Sequence, residues 1–318
     1  MSDRDRWAAR RARPLAILGP TASGKSTLAL ALAELIAAEA EAAGDGPTVE
    51  LVSIDSMQVY RGMDVGTATP TPEERAQVVH HLIDLVEPSH GFTVGEFQRL
   101  ARRAIDDIRA RQNLPILVGG TGLYLRAVID DLEIPGQFLD VRAELDAEAD
   151  TEALHARLET LDPVAAARME PSNRRRVLRA LEVTVGSGRP FSSYGPGLEV
   201  YPPTPFLQVA LRWPRPELDA RIEARYAEQM ADGFLDEVRW LAGQQPSRTA
   251  TQALGYRELL AHVAGDTTLE EALALAVTRT RQFARRQERW FRRDPRIHWV
   301  DAPADAAAVL RWWDDQTR

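Results

Sequence analysis

Cysteine is absent from this chain and lysine nearly so: of the 39 Lys and Arg residues, Lys25 is the single lysine. The first absence excludes disulfides, thiolate catalysis and cysteine-based zinc sites. The second excludes the Asn-Lys-x-Asp motif with which a GTPase reads guanine, because Lys25 sits in a different context. Long apolar runs are missing as well. No stretch approaches the ~18 apolar residues of a membrane span. The Arg-rich start "MSDRDRWAARRARP" leads only into the four-residue "LAIL", too short for a signal peptide. A cytoplasmic protein with no membrane partner is expected. No apolar strand ends in Asp-Glu, the pattern of a motor-type ATPase.

What is present is enough apolar sequence for a sizeable core, with charge distributed unevenly. The net charge of −8 argues against a nucleic-acid partner, but the local pattern argues for one. Residues 279–293 carry seven Arg and one Glu, residues 172–189 five Arg and one Glu, and residues 1–13 five Arg and two Asp. The acids gather elsewhere, as in "LDVRAELDAEADTEAL".

The first third alternates buried strands with helices. "PLAILG", "TVELVSID" and "LPILVGG" read as strands and "HLIDLVEP" as a weaker one. "GKSTLALALAELIAAEAEAA" and "TVGEFQRLARRAIDDIRARQ" read as helices. This alternation predicts an α/β fold, a P-loop NTPase-like parallel sheet with helices on both faces. Residues 136–200 show helical periods and no good strand, which predicts an inserted helical domain. The core then spans 1–135 and 201–318, with a strand at "TPFLQVALRW", helical stretches at 217–242 and 268–293, and a short strand "IHWV". Trp312 and Trp313 are expected to pack a terminal helix on this core.

Gly19-Pro20-Thr21-Ala22-Ser23-Gly24-Lys25-Ser26 matches G-x-x-x-x-G-K-[ST] in full, between a strand and a helix. The glycines let backbone amides turn inward, and the helix N-terminus adds partial positive charge. Lys25 suits a terminal phosphate and Ser26 a Mg²⁺ ion. In a chain that uses arginine everywhere else, position 25 calls for a slim ammonium that a planar guanidinium cannot imitate. Asp55 is the one carboxylate placed at a strand's C-terminal end beside this loop. It suits a general base, a magnesium partner or a helix N-cap.

Seven blocks then carry a family resemblance. "GPTASGKS", "SIDSMQVYRGMDVGTATP", "HHLIDLVEP", "VGGTGLYLRAV", "RRVLRALEV", "ALGYRE" and "TRQFARRQERWFRR" stand in the order seen in tRNA dimethylallyltransferases of the bacterial type. The resemblance implies transfer of a five-carbon prenyl group from dimethylallyl diphosphate to the exocyclic amine of the adenine 3′ of the anticodon in tRNA. It further implies catalytic roles for Asp55 and Thr121, and diphosphate binding by the P-loop and Arg257. Contacts to the substrates, tRNA included, are implied for Thr121, Arg142, and Arg175, Arg176 and Arg179, while Asp55, Ser56, Met57 and Gln58 offer hydrogen-bonding groups for a flipped tRNA base. Mg²⁺ is the expected cofactor, and a monomer is expected.

Independently of the family, Arg281, Arg285 and Arg289 recur at four-residue spacing, which suits a phosphate backbone, with only Glu288 near in sequence. Phe283 and Trp290 suit core packing better than base stacking. His80 and His81 are adjacent and so project differently, which disfavours a shared metal. Two rivals remain open. A small-molecule kinase explains the P-loop and Asp55 but leaves the arginine segments idle. A non-catalytic, nucleotide-dependent RNA-binding module leaves Asp55 and Thr121 idle.

Overall fold

Continuous apolar runs become fully buried strands, and a computed structural model describing residues 2–44 and 46–317 shows their arrangement. Helix α1 (Asp3–Ala12) leads into β1 (Leu15–Leu18), the P-loop and α2 (Lys25–Ala42). Strand β2 (Val49–Ile54), α3 (Pro72–Gln77), β3 (Val79–His81), α4 (Val94–Ala110), β4 (Leu114–Gly119) and α5 (Gly122–Ile129) follow. Residues 130–202 form a separate compact unit with α6 (Leu139–Asp146), α7 (Thr151–Leu161), α8 (Pro163–Ala166) and α9 (Arg174–Ser187). The chain returns through β5 (Leu207–Arg212), α10 (Arg215–Ala231), α11 (Phe234–Ala242), α12 (Arg248–Thr251), α13 (Tyr256–Val263) and α14 (Leu269–Phe291). It closes with β6 (Ile297–Asp301) and α15 (Ala306–Thr317).

All six strands are parallel, in the order β3-β2-β4-β1-β5-β6. In β1, Ala16 and Leu18 face a core shared with α4, α5 and α10–α14, while Leu15 and Ile17 face a second core shared with α2 and α15. A four-residue strand buried on both faces can be apolar throughout, which is why "LAIL" shows no alternation.

Three expectations are corrected. The third strand is Val79–His81, not "HLIDLVEP": Leu82 (φ 66°) and Asp84 (φ 53°) take left-handed conformations that end the strand. Leu85 and Val86 instead donate their amides to Val59. The helical stretch 217–242 is two helices, because Gly233 (φ 93°) turns the chain between α10 and α11. The N-terminal segment, read as one of three arginine-rich stretches that favour a nucleic-acid partner, is helix α1 and places an arginine in the core. Arg10 is fully buried there, bidentate to Asp314 at 2.7 and 2.8 Å and bonded to Glu39 at 2.8 Å. Trp313 is buried as expected and donates to the Arg13 carbonyl.

The 130–202 unit has its own core of Leu145, Leu154, Leu158, Val177, Leu178 and Leu181. The buried carboxylate of Glu182 accepts from the Phe138 amide and pairs with Arg179.

Candidate active site

Parallel strands end together, so β1, β2 and β4 deliver their following loops to one edge of the sheet: Leu18 is in register with Gly119, and Gly119 with Ile54. The loops that begin there hold Gly19–Lys25, Asp55–Gln58 and Gly120–Thr121. Open parallel sheets bind ligands at this edge.

The P-loop closes onto α2 at Gly24, whose φ of +88° is a conformation that favours glycine. Lys25 Nζ donates to the Pro20 carbonyl at 2.7 Å. Burial lowers its pKa to about 8, partly opposed by Asp55 and reinforced by Arg225. The Ser23 hydroxyl is buried without a protein partner.

The loop's outer side is held by residues that the sequence reading missed. Arg225 Nη1, from α10, donates to the Thr21 hydroxyl at 3.1 Å. Burial depresses this guanidinium's pKa against the pull of Tyr226 and Asp55. Arg221 Nε donates to the Ala22 carbonyl at 2.9 Å and its guanidinium lies 4.5 Å from the Trp213 ring, whose indole N–H donates to the Ser23 carbonyl. Arg257 has a different place. It is exposed on the first turn of α13 and donates to Gln252, while its neighbours Tyr256, Glu258 and Leu259 take the buried face. The arginines in contact with the P-loop are Arg221 and Arg225. The four-residue spacing in "ARIEAR", on a helix following a strand beside β1, was the available signal, but interleaved acids obscured it.

Asp55 Oδ1 accepts the Met57 amide at 2.8 Å in an Asx-type turn, and no helix begins there for it to cap. Its other oxygen has no hydrogen-bond partner among the described residues. Thr121 Oγ1 accepts the Ser56 amide at 3.4 Å, so the Asp55 and Thr121 loops touch. Met57 packs on the core. Gln58 is used internally: Oε1 accepts from Ser53 at 2.7 Å, and Nε2 donates to Ala68 at 3.0 Å. Its amide therefore tethers the 67–68 segment to β2, which leaves little capacity for a ligand.

Ser26 lies exposed in the first turn of α2, and the described residues contain no cluster of three or more His, Asp or Glu able to enclose a metal. One hydroxyl and one carboxylate fit Mg²⁺ held mainly by substrate phosphates, the usual case for this small hard cation. His80 contacts the Val78 carbonyl, and His81 the Glu50 carboxylate at 2.6 Å.

On α14, Arg285 and Arg289 are exposed, and neither has an ion-pair partner among the described residues. Arg281 corrects the expectation that only Glu288 is near. It pairs with Glu223 at 2.6 Å and lies 3.8 Å from Asp219, both on α10. The helix's inner face packs on the glycine-rich loop, with Trp290 against Gly122 and Gln287 against Gly120. In the 130–202 unit, Arg142 pairs with Asp146 at 3.0 Å and lies 3.8 Å from Glu182. Arg179 bonds Glu182 and the Pro135 carbonyl. Arg175 and Arg176 are exposed on α9.

Comparison with known proteins shows the family. The IPP transferase family profile matches residues 58–294. The chain is 50% identical over 294 residues to the tRNA dimethylallyltransferase of Kineococcus radiotolerans, covering 91% of this chain and 90% of that one. It is 48% identical over 297 residues to the Thermobifida fusca enzyme of the same name, at 91% and 90% coverage. The crystal structure of the Bacillus halodurans tRNA isopentenylpyrophosphate transferase superposes with a TM-score of 0.68 at 36% identity, covering 96% of this chain and 97% of that one. A eukaryotic dimethylallyltransferase acting on tRNA gives 0.74 at 25% identity, with 94% and 75% coverage. With half its residues shared across nine tenths of both chains, and a profile match running from the Asp55 loop to α14, this chain belongs to the IPP transferase family.

Proposed function

We propose that this enzyme transfers the dimethylallyl group of dimethylallyl diphosphate to the exocyclic amine of the adenine 3′-adjacent to the anticodon in tRNA, releasing pyrophosphate. The observation that carries this reading is the unpartnered oxygen of Asp55, close enough to the P-loop for its charge to act on Lys25. Lys25 and Arg225 stabilise charge as it develops on the leaving diphosphate, and their preorganisation makes them effective there. The allylic C–O bond breaks with its electron pair going to pyrophosphate. The adenine nitrogen forms the new C–N bond and loses its proton to Asp55, a general base within the same edge. Thr121, whose hydroxyl already meets the Ser56 amide, orients the reacting groups. Mg²⁺, held by Ser26 and the substrate's phosphates, would supply further neutralisation of the diphosphate. The exposed Arg285 and Arg289 hold the tRNA backbone while the target adenine leaves its stack to reach Asp55, and the exposed Arg175 and Arg176 of the helical unit supply further tRNA contacts.

The protein is to be incubated with bulk tRNA and either labelled dimethylallyl diphosphate or γ-labelled ATP. Label moving from the prenyl donor into tRNA supports the reading. Label moving from ATP to a small molecule marks a kinase, and no transfer of either marks a non-catalytic module.

A further inference from the structure

We propose that Gln287 is a positioning residue that fixes the diphosphate cradle relative to the Thr121 loop; the inference rests on the prenyl-transfer reading above. Its side-chain oxygen accepts the Thr21 amide at 3.0 Å, and its nitrogen donates to the Gly120 carbonyl at 2.9 Å. One carboxamide thus joins the P-loop to the residue preceding Thr121, from the buried face of α14. Neither backbone group lies in a strand ladder; without this side chain the buried Gly120 carbonyl would lose its partner, a costly arrangement, and the part-buried Thr21 amide its tie to α14.

The surrounding residues are shaped for this approach. A Cβ on Gly120 would lie 2.4 Å from Gln287 Nε2, and one on Gly122 would lie 2.2 Å from the Trp290 indole. The Gly-Gly-Thr-Gly stretch is therefore the counter-surface of α14 as well as a loop at a strand end. Thr21 is also the residue that Arg225 holds through its hydroxyl, so the donor and acceptor of the bridge sit on the two loops that the reaction must keep in register. Few other side chains can do this. An ionised carboxylate accepts from Thr21 but repels the Gly120 carbonyl and an incoming diphosphate. Lysine and arginine have no acceptor. The same helix presents Arg285 and Arg289 on its outer side, so the element proposed to grip RNA also sets the geometry of the cradle.

The test uses the full chain with two variants, Gln287→Met and Gln287→Glu. It measures tRNA affinity, inorganic pyrophosphate affinity, urea stability and single-turnover prenyl transfer. A positioning role predicts that Gln287→Met loses roughly 10²-fold in the single-turnover rate, the scale of a small misplacement of reacting groups. Pyrophosphate affinity falls, and tRNA affinity stays within about twofold. Gln287→Glu adds a pH signature. A protonated glutamic acid reproduces the acceptor–donor pair, and an ionised one does not. The variant-to-wild-type rate ratio should therefore rise toward low pH, with a midpoint above the usual ~4.3 because burial favours the neutral acid. Three results overturn the proposal: a Gln287→Met rate and pyrophosphate affinity equal to wild type, parallel loss of both ligands with stability, or a flat Gln287→Glu ratio across pH. Variants that fail to fold count as the second of these. Wild-type protein that moves no prenyl group overturns the functional reading instead, which keeps the two failures distinct.

Discussion

Lys25 and Asp55 carry opposite charges at one edge of the sheet, and the role proposed for each can be tested alone. Burial holds the Lys25 ammonium to a pKa of about 8, below its unfolded value. Between about pH 8 and ~10.4 the unfolded chain then binds more protons, so this residue's contribution to stability rises with pH there. Ligand binding has the opposite sign. A diphosphate favours the charged form, so binding takes up a proton above about pH 8 and affinity falls as pH rises through that value. Titrating pyrophosphate affinity across pH 6.5–9.5 should show the fall in wild type and not in Lys25→Met. For Asp55, Asn keeps an oxygen for the Met57 amide, so the turn survives substitution. Asp55→Asn should slow single turnover by about 10² to 10⁴ and leave both dissociation constants nearly unchanged. Recovery of the chemical step at high Mg²⁺ would make Asp55 a metal ligand instead.

At the scale of elements, α14 shows why a stripe of like charges has to be read against its neighbours. Arg281, Arg285 and Arg289 are equivalent by spacing, but α10 packs beside the first of them and supplies Glu223 and Asp219. Arg285→Ala with Arg289→Ala should therefore reduce the salt slope of tRNA binding by about 1.4 to 1.8 on log scales. Arg281→Ala should leave the slope within error and lower stability by removing an α10–α14 tie. Equal effects from the two substitutions would mean that the pairing with α10 gives way when RNA binds. Affinity for pyrophosphate is the control, unchanged in the double variant.

For the whole molecule, the arginine-rich N-terminus proves to be a fastener. Arg10 joins α1 to α2 through Glu39 and to α15 through Asp314, with its guanidinium 4.9 Å from the Trp7 ring and 5.7 Å from Trp313. A buried guanidinium that loses one partner is costly, so Asp314→Ala should cost about 2–4 kcal/mol. The check is a lower urea midpoint with tRNA affinity unchanged. A large loss of tRNA binding without loss of stability would return this segment to the RNA surface. The helical unit at 130–202, with its own core, carries the exposed Arg175 and Arg176 on α9.

Composition and local pattern determined a great deal by themselves. A complete G-x-x-x-x-G-K-[ST] between an apolar strand and a helix leaves the backbone few alternatives, and strand–helix alternation forces a parallel sheet covered on both faces. Asp55 was legible because it follows such a strand directly. What the local pattern could not hold was anything decided by two distant segments meeting. Arg225 and Gln287 reach the P-loop from 204 and 266 residues away, and the local pattern of their helices does not say which distant backbone groups they meet. Arg10 reads as solvated until α15 brings Asp314 to it, and Arg281 reads as free until α10 brings Glu223. The physical reason is common to all four. A polar side chain's role depends on which charges and backbone groups remain near it after desolvation, and only tertiary packing determines that.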